Sequence, residues 1–285
     1  MRKQVEAYLA LATLVTALFA QTIRAPADEL VRFGSAPYIM GQIQQRQARE
    51  RGETPANVPD TTIEAYLSKP EGSGPFAAVV YLHGCNGLST NTRHRMAELI
   101  TGWGYVALVV DSFATRVIQE SCHELVPARQ GDALGALTYL SKLPFVDPTR
   151  IAVMGSSQGG IVALQLASTH VKLFAIPDEL TFKAAVAYYP LCGVATQQLS
   201  VPTIILIGEL DDWSPAKDCE GWMQWRAGKG APVKLVVYPG AYHAFDAPSV
   251  GDGMLSFGHW LKYDPEAARR SVLETRDFLA TQLAK

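Results

Sequence analysis

One ten-residue run, residues 151–160 (IAVMGSSQGG), limits what this chain can fold into more than any other stretch. Four apolar or small residues lead into a Gly-x-Ser-x-Gly turn (Gly155, Ser157, Gly159), and an apolar segment, IVALQLAS, follows. The pattern reads as a buried strand, a sharp turn and a helix, with the central serine forced into strained backbone angles. Gly155 and Gly159 keep the turn's neighbours minimal, and Gly160 lets the helix pack close to the strand. Ser157 is thereby raised at the carboxyl end of a sheet, and the Gln158 N–H, at a helix N-terminus, is aimed where an oxyanion would form. The geometry is that of an activated alcohol nucleophile.

Such a nucleophile needs a base and an acid, and in this architecture they follow it in the order serine, carboxylate, histidine. After the apolar strand at 203–207 comes Gly208-Glu209-Leu210-Asp211-Asp212-Trp213, and after the strand at 233–238 comes Pro239-Gly240-Ala241-Tyr242-His243. The 54 residues from Ser157 to Asp211 and the 32 from Asp211 to His243 leave room for the intervening elements. Asp211 is therefore the expected acid and His243 the expected base, with Glu209 and Asp212 read as solvated or capping carboxylates. Of the other histidines, His83 reads as structural, His94 and His170 fall on helices or their ends, His123 lies in a long loop, and His259 is the runner-up base.

The rest of the chain alternates strands and helices. Residues 61–68 read as an outer strand, 76–82 and 106–110 as continuous apolar strands, and 92–101 and 128–140 as helices, which predicts a mostly parallel central sheet with helices on both faces. The strand at 76–82 ends in His83-Gly84-Cys85-Asn86-Gly87, whose Cys85 N–H is the candidate second oxyanion donor. A long loop from Asp111 carries Cys122 and His123. Arg116 and Arg129 are candidates for binding a substrate carboxylate, with a surface or structural ion pair as the commoner role of such residues.

The chain starts with a basic cluster (Met1-Arg2-Lys3), an uncharged apolar run at 9–20 and a small-x-small site (Ala25-Pro26-Ala27), the form of a cleaved export signal. The run falls short of the roughly 20 residues that span a bilayer, so no stable membrane anchor is expected. Residues 1–27 are read as a signal peptide, 28–60 as a polar, irregular extension and 61–285 as the catalytic domain. Four cysteines in an exported chain favour pairing, and their positions after strands at one rim of the sheet suggest Cys85–Cys122 and Cys192–Cys219. With 18% charged residues, a net charge of −2 and no basic patch, nucleic acid is not an expected partner.

The three ordered motifs, Gly155-Ser156-Ser157-Gln158-Gly159-Gly160, Gly208-Glu209-Leu210-Asp211-Asp212-Trp213-Ser214-Pro215 and Tyr238-Pro239-Gly240-Ala241-Tyr242-His243-Ala244-Phe245, resemble the dienelactone hydrolase family of the α/β-hydrolase superfamily, from about Thr61 onward. The resemblance implies that Ser157 is the nucleophile, Asp211 the acid and His243 the base, acting on a small-molecule ester or lactone without cofactor or metal. It departs in two places. Founding members carry cysteine as nucleophile, and a glutamate in the loop where this chain reads His83-Gly84-Cys85-Asn86-Gly87; that glutamate is tied to holding a thiolate, so its absence suits a serine enzyme. The alternatives are a prolyl-oligopeptidase-like peptidase, which usually carries a large extra domain, and a non-catalytic binding protein on a hydrolase scaffold.

Overall fold

The computed structural model describes residues 28–38, 46–47, 49–52, 61–124, 129–168 and 174–284. The export signal read at residues 1–27 and His170 lie outside them. An eight-stranded sheet runs through the centre in the order β1-β2-β4-β3-β5-β6-β7-β8. Its strands are β1 (Glu29–Gly34), β2 (Thr62–Ser68), β3 (Phe76–Leu82), β4 (Val106–Asp111), β5 (Val146–Ser156), β6 (Ala184–Tyr188), β7 (Thr203–Gly208) and β8 (Val233–Tyr238). β1 and β2 pair antiparallel, and β2 pairs antiparallel with β4; the other neighbours are parallel. Five helices of eight or more residues lie among the described residues: α1 (Thr90–Gly102), α2 (Arg129–Leu140), α3 (Gln158–Leu166), α4 (Ala216–Arg226) and α5 (Pro265–Gln282).

Consecutive strand residues point to opposite faces, so a strand buried at every position must be covered on both sides. Residues 77–82 of β3, 106–110 of β4 and 203–208 of β7 are all buried, which accounts for their unbroken apolar character. Two helix starts follow from simple capping chemistry. Ser89 accepts the Thr92 N–H ahead of α1, and Asp264 accepts the Ala267 N–H ahead of α5, whose first residue is Pro265.

The crossed strand order places the functional loops together. β3 sits between β4 and β5, with Leu82 level with Gly155, so the loop that begins at His83 emerges beside the turn after β5. Ser156 is level with Tyr188 on β6, and Gly208 on β7 with Tyr238 on β8. Five parallel strands, β3, β5, β6, β7 and β8, thus release their loops at one edge, as open α/β sheets do at their binding crevices.

The sequence reading is corrected at two points. The stretch from Asp28, read as irregular, begins with β1, whose Val31 is buried and whose Phe33 packs on the core; two inward residues in a six-residue edge strand give too short an alternation to stand out. A small antiparallel hairpin, β9 (Met254–Ser256) and β10 (His259–Leu261), was also unforeseen and places Leu261 alongside His243.

Candidate active site

Ser157 occupies the turn between β5 and α3 with φ 54° and ψ −118°, outside the usual allowed regions. A Cβ on Gly155 would collide with the Gly159 carbonyl, and one on Gly159 would run into the Leu82 and His83 carbonyls. Those collisions are why both positions demand glycine. The turn is locked by Ser157 N–H donating to Tyr188 O at 3.0 Å and by Ile161 N–H donating to Ser157 O at 2.9 Å.

Asp211 and His243 arrive from the loops after β7 and β8. Asp211 Oδ1 accepts the N–H groups of Trp213 (2.9 Å) and Ser214 (2.7 Å), which leaves Oδ2 to accept from His243 Nδ1 at 2.8 Å. That hydrogen bond assigns the proton to Nδ1 and leaves Nε2 as the acceptor for the Ser157 hydroxyl, 3.1 Å away. The His243 ring is held between Tyr189 and Trp213, at centroid distances of 4.6 and 5.1 Å. The other two carboxylates of the loop do other jobs: Glu209 accepts the Gly240 N–H, and Asp212 accepts the Trp260 N–H and lies 3.6 Å from His259 Nδ1. His259 stacks on Trp213 at 4.8 Å, so the imidazole that meets Ser157 is His243.

The loop after β3 is fixed by His83. Burial, helped by the nearby Arg129 charge, holds this imidazole well below its ordinary value of 6.5, so the ring is neutral. Nε2 accepts the Ser112 N–H at 3.3 Å, which gives the proton to Nδ1, and Nδ1 donates to the Gly84 carbonyl at 2.7 Å. A trans peptide points its C=O and N–H in opposite directions, so holding Gly84 O also fixes the direction of the Cys85 N–H. Cys85, Gln158 and Ser157 line one common cavity.

The cysteines pair as the sequence suggested, Cys85 with Cys122 and Cys192 with Cys219. The first bridge joins the loop after β3 to the long loop after β4.

Arg116 and Arg129 do not behave as substrate ligands. Arg129 is 2% exposed and donates to Gln158 Oε1 (2.8 Å) and His83 O (2.7 Å), clamping the two walls of the site together. Desolvation lowers its guanidinium from the ordinary arginine range to about 10. Arg116 pairs with the fully buried Asp132 at 2.7 and 2.8 Å and donates to Ser112 O. A second buried group was not singled out in the sequence. Tyr189 donates to Asp246 at 2.6 Å, and Arg95 donates to the same carboxylate at 3.1 Å and to the Asp246 carbonyl at 2.9 Å. Burial, with the Asp246 charge added, pushes the Tyr189 phenol well above 10. Only the Asp246 position, three residues past His243, offered any signal.

Two cavities meet at Ser157. One, of about 190 Å³, has Gln158, Ile161, Leu191 and the Cys85–Cys122 bridge in its walls; the other, of about 250 Å³, has His243, Tyr189, Arg95 and Ser249. Cys85 and Trp213 contribute to both. A larger apolar cavity of about 520 Å³, around Leu134, Phe174 and Phe182, shares no wall residue with either. Among the described residues no group of three or more His, Cys, Asp or Glu could hold a metal ion, and no helix is long and apolar enough to cross a membrane.

Known proteins resemble this chain in sequence and fold. Residues 63–283 match the dienelactone hydrolase family. A putative carboxymethylenebutenolidase of Yersinia pestis is 26% identical over 220 residues, covering 69% of this chain and 79% of that protein. An acylamino-acid-releasing enzyme of Arabidopsis thaliana is 23% identical over 257 residues, covering 72% of this chain; the chain spans only 32% of that relative's length. Among solved structures, a putative dienelactone hydrolase from Klebsiella pneumoniae superposes with TM-score 0.61 at 19% identity, covering 88% of this chain and 99% of its own. An esterase from Thermogutta terrifontis superposes with TM-score 0.61 at 18% identity over 80% of this chain and 92% of its own. The chain, with its mostly parallel sheet and its match from residue 63 to residue 283, belongs to the dienelactone hydrolase family.

Proposed function

We propose that the chain is a serine hydrolase that cleaves a small-molecule ester or lactone through an acyl-enzyme, with Ser157 as nucleophile, His243 as general base and acid, and Asp211 as the group that orients the imidazole. One observation carries the reading: an unbroken hydrogen-bonded series from Asp211 to His243 (2.8 Å) to Ser157 (3.1 Å), ending on a residue held at φ 54°.

In the reaction the Ser157 Oγ–C bond forms as the hydroxyl proton passes to His243 Nε2. The carbonyl C–O bond to the alcohol then breaks, and the departing oxygen takes that proton. Water next gives a proton to Nε2 and attacks the acyl carbon, and Ser157 leaves with the proton, so the products are the free acid and the alcohol. The Gln158 and Cys85 N–H groups hold the oxyanion in both halves; one such donor is typically worth about 10²–10³ in rate.

p-Nitrophenyl acetate turnover tests the assignment. Ser157→Ala should leave only background hydrolysis, and Asp211→Asn should lower kcat by about 10³–10⁴ because the imidazole loses its orienting acceptor. Equal turnover by wild type and Ser157→Ala would overturn it. Similarity to the acylamino-acid-releasing enzyme of Arabidopsis favours a second reading, release of an N-acylated amino acid; cleavage of N-acetylalanine anilide in preference to esters would select it. Export is part of the proposal too, supported by the two disulfides and the N-terminal basic and apolar segment. N-terminal sequencing of protein recovered from outside the cytoplasm tests it, and a start at Met1 would contradict it.

A further inference from the structure

We propose that Phe257 is a positioning residue that sets the width of the cavity walled by His123 and Trp213, and with it the size of the ester group that fits beside Ser157. The inference rests on the serine-hydrolase reading above.

Phe257 stands where the backbone least suits it. β9 and β10 pair Ser256 with His259, so Phe257 and Gly258 alone make the turn, with φ 50° and 86°. Positive φ at both central residues is the demand of a type I′ hairpin turn, which asparagine, aspartate and glycine meet and a bulky side chain resists. Phe257 is also 40% exposed, so it does not fill the core. Strain that neither propensity nor burial explains belongs to a task outside the hairpin.

That task shows in what the ring touches. Its edge-to-face neighbour is His123, 5.1 Å away on the long loop after β4, and Trp213 lies 6.1 Å away on the loop that carries Asp211. His123 and Trp213 are both walls of the cavity of about 190 Å³ at Ser157, so the ring ties together two walls that come from loops far apart in sequence. The Trp213 side is firmly held: His259 stacks on Trp213 at 4.8 Å, the Trp260 N–H donates to Asp212, and Leu261 runs beside His243. The other side is looser, because His123 is exposed and stands one residue past Cys122 of the bridge. Without the Phe257 ring this imidazole loses the neighbour that keeps it in the wall, and the cavity widens. An edge-to-face contact returns about what the left-handed backbone costs, so stability alone gives no reason to prefer phenylalanine to glycine at this turn.

Two ester series read the width: p-nitrophenyl acetate, butyrate and octanoate, and the acetates of ethanol, butanol and octanol. Wild type should lose kcat/KM with chain length in the series whose variable half enters this cavity. Phe257→Gly, which the backbone accepts, should raise the longest member of that series relative to the shortest by about tenfold, chiefly through KM. Phe257→Asn should match it, and Phe257→Tyr, which keeps the ring, should retain the wild-type dependence. Leu255→Ser replaces an exposed hairpin side chain opposite Trp260 and should leave both series unchanged. Melting curves establish that each variant is folded. The proposal is overturned by a wild type indifferent to length in both series, by a folded Phe257→Gly or Phe257→Asn that keeps the wild-type dependence, by failure of both to fold, by Phe257→Tyr losing the dependence, or by Leu255→Ser relaxing it. Each of those results leaves the serine hydrolase standing so long as wild type turns over p-nitrophenyl acetate. Wild type inactive towards every ester, p-nitrophenyl acetate included, would overturn both.

Discussion

Removing the Cys85–Cys122 bridge should reduce both stability and turnover, and removing Cys192–Cys219 should reduce stability alone. The bridges close loops of 37 and 27 residues. Loop-closure entropy in the unfolded chain then makes them worth about 3.8 and 3.6 kcal/mol at 25 °C, a similar amount because the dependence on length is logarithmic. Either loss shifts the folding constant by between two and three orders of magnitude, at ~1.4 kcal/mol per tenfold. Location separates them. Cys85 and Cys122 both line the cavity beside Ser157, whereas Cys192 and Cys219 line neither cavity at the nucleophile. With Cys85→Ala/Cys122→Ala the loop after β3 loses its tether, and the cost in kcat can reach the 10²–10³ that one oxyanion donor supplies. Urea unfolding of the oxidised proteins gives the stability, and kcat measured in buffer, well below the unfolding midpoint, gives the rate. The reasoning fails if Cys85→Ala/Cys122→Ala stays within ~1 kcal/mol of wild type, or if Cys192→Ala/Cys219→Ala lowers kcat by as much.

Three further outcomes follow. The folded His83 lies below its ordinary 6.5, so folding disfavours its protonation; the stability it contributes is complete above that pH and is lost as pH falls from 6.5 towards the folded value, by up to ~1.4 kcal/mol per unit. Unfolding curves collected from pH 7.5 to 5 should show this slope in wild type and a shallower one in His83→Gln; identical slopes would refute it. Asp132→Ala strands Arg116 and Ser35, which both bond the buried carboxylate, and should cost about 3–5 kcal/mol in denaturant titrations. Gly155→Ala drives a Cβ into the Gly159 carbonyl and should yield no soluble, active protein, whereas Gly102→Ala, where nothing lies within 4 Å, should behave as wild type; a normal melting curve for Gly155→Ala would contradict the steric account.

Much of this arrangement was legible in the residues because the informative signals are local. A strand buried on both faces needs an unbroken apolar run, as β3, β4 and β7 have, and an elbow needs glycine at 155 and 159. The loops after two strands pointed to His243 and to a group of three carboxylates that includes Asp211, and the common rim brought the four cysteines together; which carboxylate meets the imidazole and which of the three pairings forms is set by the folded geometry. What escaped was set by tertiary context. β1 contributes two inward side chains, too few for a periodic signal. Arg129 looks like any helix-start arginine; its burial and its bonds to His83 O and Gln158 Oε1 arise because α2 packs under two loops distant in sequence. Arg95 and Asp246, 151 residues apart, pair only once the sheet has assembled.

The account's central claim is that Ser157 is the nucleophile. The direct measurement is peptide-level mass spectrometry of protein treated with a fluorophosphonate, beside the same treatment of Ser157→Ala and His243→Ala. A single adduct on Ser157, absent from Ser157→Ala and slowed in His243→Ala, is the predicted result. An adduct on another residue, or none on a folded wild-type protein, would contradict it.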